Sequence, residues 1–200
     1  MILPAFGSRQ SQRIGLLGGS FNPAHEGHLH ISLIALKRLK LDAVWWLVAP
    51  QNPLKPSKGM ADIDTRLANA RAMADHPRVV VTDLERRLGT VYTVDSITRL
   101  QTVYPRMRFV WLMGADNMAQ FPRWNGWTRI MKRVPVAVIA RPSYVGHALS
   151  GRMAGRFAGN RLPAEAAGQL ADAAPPAWVF IHGRLHSASA TQIRAAAGPS

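Results

Sequence analysis

Two hydrophobic rhythms alternate along the chain. Short, nearly continuous apolar runs read as strands buried on both faces: Arg13 to Gly18 (RIGLLG), Ala43 to Val48 (AVWWLV), Arg78 to Thr82 (RVVVT), Met107 to Met113 (MRFVWLM), Val134 to Ala140 (VPVAVIA) and, sixth and shortest, Trp178 to Ile181. Of the tryptophans in the second run, Trp45 and Trp46, one is expected in the core and one at the surface. Between the runs the spacing is helical. Gly27 to about Leu41 places Leu29, Leu33 and Leu36 on one face, Asp62 to His76 comes next, and Thr93 to Val103 stops before Pro105. Ala115 to Ala119 and Trp127 to Lys132 read as short helices, and Ala190 to Ala197 as a final one. Pro50 to Met60, with three prolines and a glycine, must be a loop. Ser143 to Pro176, rich in Gly, Ala and Pro, is expected to hold two loose helices. Such alternation predicts an α/β fold: a doubly wound, Rossmann-like parallel sheet with helices on both faces and ligands at the carboxyl ends of its strands.

Composition narrows the class. Two hundred residues, 48% hydrophobic and 18% charged, suit one globular domain and exclude a disordered chain. Residues 1–12 read as a frayed, flexible tail before a single domain at 13–200. The absence of cysteine excludes a disulfide framework and a thiolate nucleophile, and fits a reducing, cytoplasmic setting. No apolar run approaches the roughly 20 residues that cross a bilayer. The net charge of +14 implies a polyanionic partner: nucleic acid, an anionic surface or a phosphorylated small molecule. The second half is the more basic, its acids being Asp116, Glu165 and Asp172. The basic residues are scattered rather than clustered with aromatics, which argues against a nucleic-acid-binding protein.

The densest chemistry lies in Gly18 to His28 (GGSFNPAHEGH), between the first strand and the first helix. Backbone amides at a helix N-terminus carry the positive end of its dipole and receive phosphate well. Gly18 and Gly19 allow close backbone approach, Gly27 does so at the helix start, and His25 and His28, three apart, can face the same anion. A structural zinc site would need two further ligands at plausible spacing, and none is evident, so no protein-held metal is expected.

These residues resemble the signature of the nucleotidyltransferase superfamily, G-[ST]-F-[DN]-P-x-[HT]-x-G-H. The superfamily's second signature, I-S-[SA]-T-x-[IL]-R, is matched near the C-terminus by Ala188-Ser189-Ala190-Thr191-Gln192-Ile193-Arg194, with Ala188 in place of Ile. Between them, Gly114-Ala115-Asp116, then Phe121-Pro122-Arg123-Trp124, Arg141-Pro142-Ser143-Tyr144 and Tyr92-Thr93 are similar to segments of the bacterial nicotinate-nucleotide adenylyltransferases. Asn52-Pro53-Leu54-Lys55 resembles their P-P-H-K loop only loosely.

The resemblance implies transfer of the adenylyl group of ATP to nicotinic acid mononucleotide, with release of pyrophosphate, in NAD biosynthesis. By the same likeness His25, His28 and Arg194 are the catalytic residues. ATP would be bound by Gly18, Gly19, Ser20, Phe21, His25, Gly27, His28, Gly114, Asp116, Ser189 and Arg194. The mononucleotide would meet Asn52, Lys55, Thr93, Trp124 and Asn125, with Trp124 stacked on the pyridine ring and Thr93 and the Asn125 backbone facing the nicotinate carboxylate. Mg²⁺ would be carried by the ATP phosphates. The residues alone leave alternatives open: Trp124 as core, Asp116 as a helix cap, Lys55 as an ordinary loop lysine. Nicotinamide mononucleotide and phosphopantetheine are the rival acceptors.

Overall fold

The computed structural model describes residues 3–4, 6–8, 10–50, 59–140 and 149–182. Its sheet has seven strands: β1 (Arg13–Gly19), β2 (Ala43–Val48), β3 (Val79–Thr82), β4 (Arg108–Gly114), β5 (Val136–Ile139), β6 (Arg161–Leu162) and β7 (Trp178–Ile181). Their order is β3-β2-β1-β4-β5-β7-β6, and every neighbouring pair is parallel. The expected doubly wound α/β sheet is therefore the fold. The chain winds outward from β1 through β2 to β3, then returns to β4 on the other side of β1. That reversal makes the carboxyl ends of β1 and β4 the switch point, where open α/β sheets bind ligands.

Period-two alternation divides the apolar runs between two cores. Leu16, Trp45, Trp111, Val138 and Phe180 pack on one face. Leu17, Trp46, Leu112, Ile139 and Ile181 pack on the other. Trp45 and Trp46 are thus both buried, on opposite faces, and the expectation that one would reach the surface fails. A central strand of a sheet covered on both sides has no solvent face.

The first core is covered by α3 (Leu84–Leu88), α4 (Thr93–Val103), α5 (Ala115–Gln120), α6 (Trp127–Arg133) and α7 (Arg152–Arg156). The second is covered by α1 (Glu26–Arg38), α2 (Ile63–Met73) and a 3₁₀ helix at Ala164–Asp172. α1 ends at Arg38, before Lys40 takes a positive φ of 52°. Its buried stripe runs through Ile31, Ala35 and Leu36, while Leu33, expected on the core face, is 40% exposed. α2 starts one residue later than expected because Asp62 is its N-cap, accepting from the Thr65 amide at 2.9 Å.

The segment 143–176 differs from two loose helices. Residues 143–148 lie outside the described residues; the rest forms α7, a 3₁₀ turn at Ala158–Asn160, the two-residue β6 and the 3₁₀ helix. Trp178–Ile181 is accordingly the seventh strand among the described residues. α3 has no counterpart among the expected elements. Described members of the stretch 1–12 make contacts: the Tyr104 hydroxyl donates to the Pro4 carbonyl at 2.9 Å and the Gly7 amide to Val103 at 2.7 Å. The expected final helix, 190–197, lies outside the described residues. No helix among those described is long and apolar enough to cross a membrane.

Candidate active site

The turn from β1 into α1 brings both histidines of the first signature together. His25 is the N-cap of α1 and is buried; His28 stands at the third helical position and is half-buried. The Gly27 amide donates to His25 Nδ1 at 3.1 Å, and the His25 amide donates to His28 Nδ1 at 3.2 Å. Two orphan amides of the helix start are thereby satisfied by imidazoles, in the reciprocal manner of a capping box. Because each Nδ1 accepts, the neutral form of each ring carries its proton on Nε2, and that nitrogen is the donor. The ring centroids are 3.9 Å apart. The Gly27 amide is thus engaged by His25, while the residue itself, expected to allow close approach at the helix start, is buried there.

An aromatic bed supports the pair. The Phe21 ring lies 4.7 Å from His28 and stacks on Trp46 at 5.1 Å. Trp46 Nε1 donates to Ser32 Oγ at 2.8 Å, and Ser32 donates to the His28 carbonyl at the same distance. Phe21 has φ 46°, a left-handed conformation that costs a non-glycine residue about 1–3 kcal/mol and persists only where its surroundings hold it. Burial of the ring, 1% exposed, does part of that. Arg66 does more. Its guanidinium is buried against four backbone carbonyls, including that of Ser20. Burial lowers its pKa, with the charge of Asp62 opposing.

Gly18 serves the fold as well as any ligand. A Cβ there would lie 2.5 Å from Trp111 Cη2, so the missing side chain is space for a buried indole. Trp111 meets Trp124 edge to face at 6.0 Å, and Phe121 meets Trp124 in the same way at 5.3 Å. Trp124 is therefore half-buried, with part of its surface on the core and part outside it. Asn125, beside it, is exposed, and Gly126 then turns with φ 62° to start α6. At the end of β4 the chain enters α5 without a loop: Gly114 is the N-cap, so Asp116, at the second helical position, is not the cap residue. Its carboxylate stands near the positive end of the helix dipole.

Thr93 opens α4 and is half-buried, preceded by the exposed N-cap Tyr92. Beneath this turn is a buried polar cluster the sequence did not suggest. Ser96 Oγ donates to Glu85 Oε1 at 2.8 Å, and lies 2.9 Å from Thr90 Oγ1 and 3.3 Å from the Tyr92 carbonyl. Burial pushes the Glu85 carboxyl up to about 7, with the Ser96 hydrogen bond opposing. Asn52, Lys55, Ser189 and Arg194 lie outside the described residues. Among the described residues no group of three or more His, Cys, Asp or Glu could hold a metal ion.

Arg66 was legible in one respect. It falls at position 66 of the stripe 63, 66, 67, 70, where a helix presents one apolar face, and a charge there needs a reason.

Residues 16–196 match the cytidylyltransferase-like family model. A protein of Caulobacter sp. (strain K31), carrying the name "probable nicotinate-nucleotide adenylyltransferase", is 52% identical over 182 residues, covering 91% of this chain and 96% of its own. A protein of the same name from Roseobacter denitrificans is 49% identical, covering 96% of both chains. In fold, the chain resembles the nicotinic acid mononucleotide adenylyltransferase of Plasmodium falciparum complexed with NaAD, with a TM-score of 0.69 over 92% of this chain and 83% of that one, at 14% identity. The chain belongs to the cytidylyltransferase-like family, among its nicotinate-nucleotide adenylyltransferases.

Proposed function

We propose that the chain transfers the adenylyl group of ATP to nicotinic acid mononucleotide, giving nicotinic acid adenine dinucleotide and pyrophosphate in the cytoplasm, with residues 13–200 acting as one domain. The observation that carries this is the imidazole pair, built into the start of α1 at the switch point, with Nε2 as the donor of each ring.

Adenylyl transfer needs no protein nucleophile. An oxygen of the mononucleotide phosphate attacks the α-phosphorus of ATP in line, the bond to the β-phosphate bridging oxygen breaks, and pyrophosphate leaves. Catalysis is then positioning and charge stabilisation. In this reading His25 and His28 donate to the α-phosphoryl oxygens, beside the backbone of Gly18, Gly19, Ser20, Phe21 and Gly27. Gly114 and Asp116 meet the adenosine, the carboxylate at the ribose hydroxyls. Ser189 and Arg194 hold the departing phosphates. Trp124 offers a ring face to the pyridine, and Thr93 and the Asn125 backbone receive the nicotinate carboxylate, while Asn52 and Lys55 approach the mononucleotide phosphate. Magnesium enters as part of the substrate MgATP, held by phosphate and water oxygens, which asks for no carboxylate cage.

A coupled assay of pyrophosphate release with nicotinic acid mononucleotide, nicotinamide mononucleotide and phosphopantetheine as acceptors tests the reading. Turnover is expected to be highest with the acid. Equal or faster turnover with either of the others would reassign the acceptor, and none with any of the three would end the proposal.

A further inference from the structure

Arg66 is 2% exposed, and no carboxylate contacts its guanidinium among the described residues. Nε donates to the Ala61 carbonyl at 2.9 Å, Nη1 to Ser20 at 2.7 Å and to Ala49 at 2.8 Å, and Nη2 to Pro50 at 3.0 Å. Those carbonyls belong to three stretches of chain: the turn after β1, the exit of β2 and the entry to α2. An apolar side chain would fill a helix–sheet contact at less desolvation cost. A guanidinium adds a planar fork that fixes several acceptors in direction as well as distance.

The Ser20 carbonyl is the informative partner. A peptide unit is planar and trans, so pinning that oxygen fixes the Phe21 amide in the opposite direction. It also fixes the plane from which Phe21 departs with its left-handed φ. The Phe21 ring, so placed, is the surface His28 rests against. The Ala49 and Pro50 bonds tie the same turn to the end of β2, beside the Ala49 amide, which donates to the Gly19 carbonyl at 2.9 Å.

Building on the adenylyltransferase reading, we propose that Arg66 is a positioning residue of the reaction, acting through Ser20 and Phe21 on His28 and locking the turn after β1 to the exit of β2. It touches no substrate. Its part is to hold the imidazole where the α-phosphoryl group will be.

The test uses the full chain. Arg66→Lys keeps the charge but cannot span four carbonyls, and misplacing a catalytic group by about 1 Å costs on the order of 100-fold. The expected result is a folded variant with kcat about 10- to 100-fold down and both KM values changed far less. In a His28→Ala background the same substitution should lower kcat by less than about threefold, because its route of action is already gone. Arg66→Gly should regain several-fold in kcat with millimolar ethylguanidinium and not with equal sodium chloride. An Arg66→Lys variant with wild-type kcat, one that does not fold, or full additivity with His28→Ala would each overturn the proposal. A wild-type chain without adenylyl transfer would instead overturn the reaction on which it rests.

Discussion

Two strand-to-helix turns meet at the switch point and are built by opposite means. After β1 the chain takes six residues to reach α1, and hydrogen bonds hold the detour: imidazoles on helix amides, Arg66 on carbonyls, Ser32 between Trp46 and His28. After β4 it enters α5 at once, and the segment beyond α5 is held by aromatic edges, Phe121 and Trp111 against Trp124. Hydrogen bonds fix direction, which a phosphoryl group in flight requires. Apolar packing fixes a plane and leaves rotation about it, which suffices for a flat ring. On the proposed reaction, the polar turn would suit the reacting phosphates and the aromatic one the pyridine ring.

The sharpest way to break this contrast is on the polar side. His28→Ala should lower kcat by about 10²–10³-fold with the fold intact, as removal of a charge-stabilising donor does elsewhere. Near-normal turnover in a steady-state assay would remove His28 from the chemistry.

The next effect lies beneath α4, where Glu85 is a polar exception on the aromatic side. The folded chain binds its proton more tightly than the unfolded chain, because burial lifts the carboxyl from 4.5 to about 7. Stability therefore falls as pH rises from about 4.5 to about 7 and levels off above. The full span is about 3 kcal/mol. Glu85→Gln should flatten that slope in urea denaturation between pH 5 and 8; an unchanged slope would show that the carboxyl titrates normally.

Gly18→Ala puts a methyl group into the Trp111 indole and should cost about 1–3 kcal/mol of stability. Chemical denaturation would read it, and a wild-type midpoint would show that the indole has room to move. Trp124→Ala should raise KM for the mononucleotide by about 10-fold, corresponding to about 1–2 kcal/mol of stacking, with KM for ATP little changed. Equal loss of both affinities would make Trp124 a core residue alone.

The sequence made the sheet legible because its strands are apolar on both faces. Ala43–Val48, Trp178–Ile181 and the helix Thr93–Val103 stand in the structure with the expected ends. What it hid depends on tertiary pairing. Two residues become β6 only because β7 lies beside them, and five residues between Asp83 and a left-handed Gly89 become α3 without a period long enough to read. Leu33 and Ile31 are equally apolar in sequence, and which one faces the core depends on how α1 is rotated. At the site, the motif names His25 and His28, but the nitrogen each presents is set by hydrogen bonds to amides two and three residues away. In sequence Gly18 reads as room for phosphate, and the structure shows that it also makes room for Trp111. Arg66 and Glu85 are hard to read because their partners are carbonyls and hydroxyls from distant turns.

β6 bears on how copies of this chain behave at high concentration. An open sheet edge invites another strand to pair, the first step toward aggregation. Among the described residues the edge at β6 is two residues long, and one of them is Arg161, whose guanidinium lies 5.4 Å from the Trp178 ring and 5.8 Å from that of Phe180. A second chain approaching β7 along that margin meets a cation and too short a ladder to register on. In a molecule carrying fourteen excess positive charges, the small strand helps keep neighbouring copies from joining their sheets.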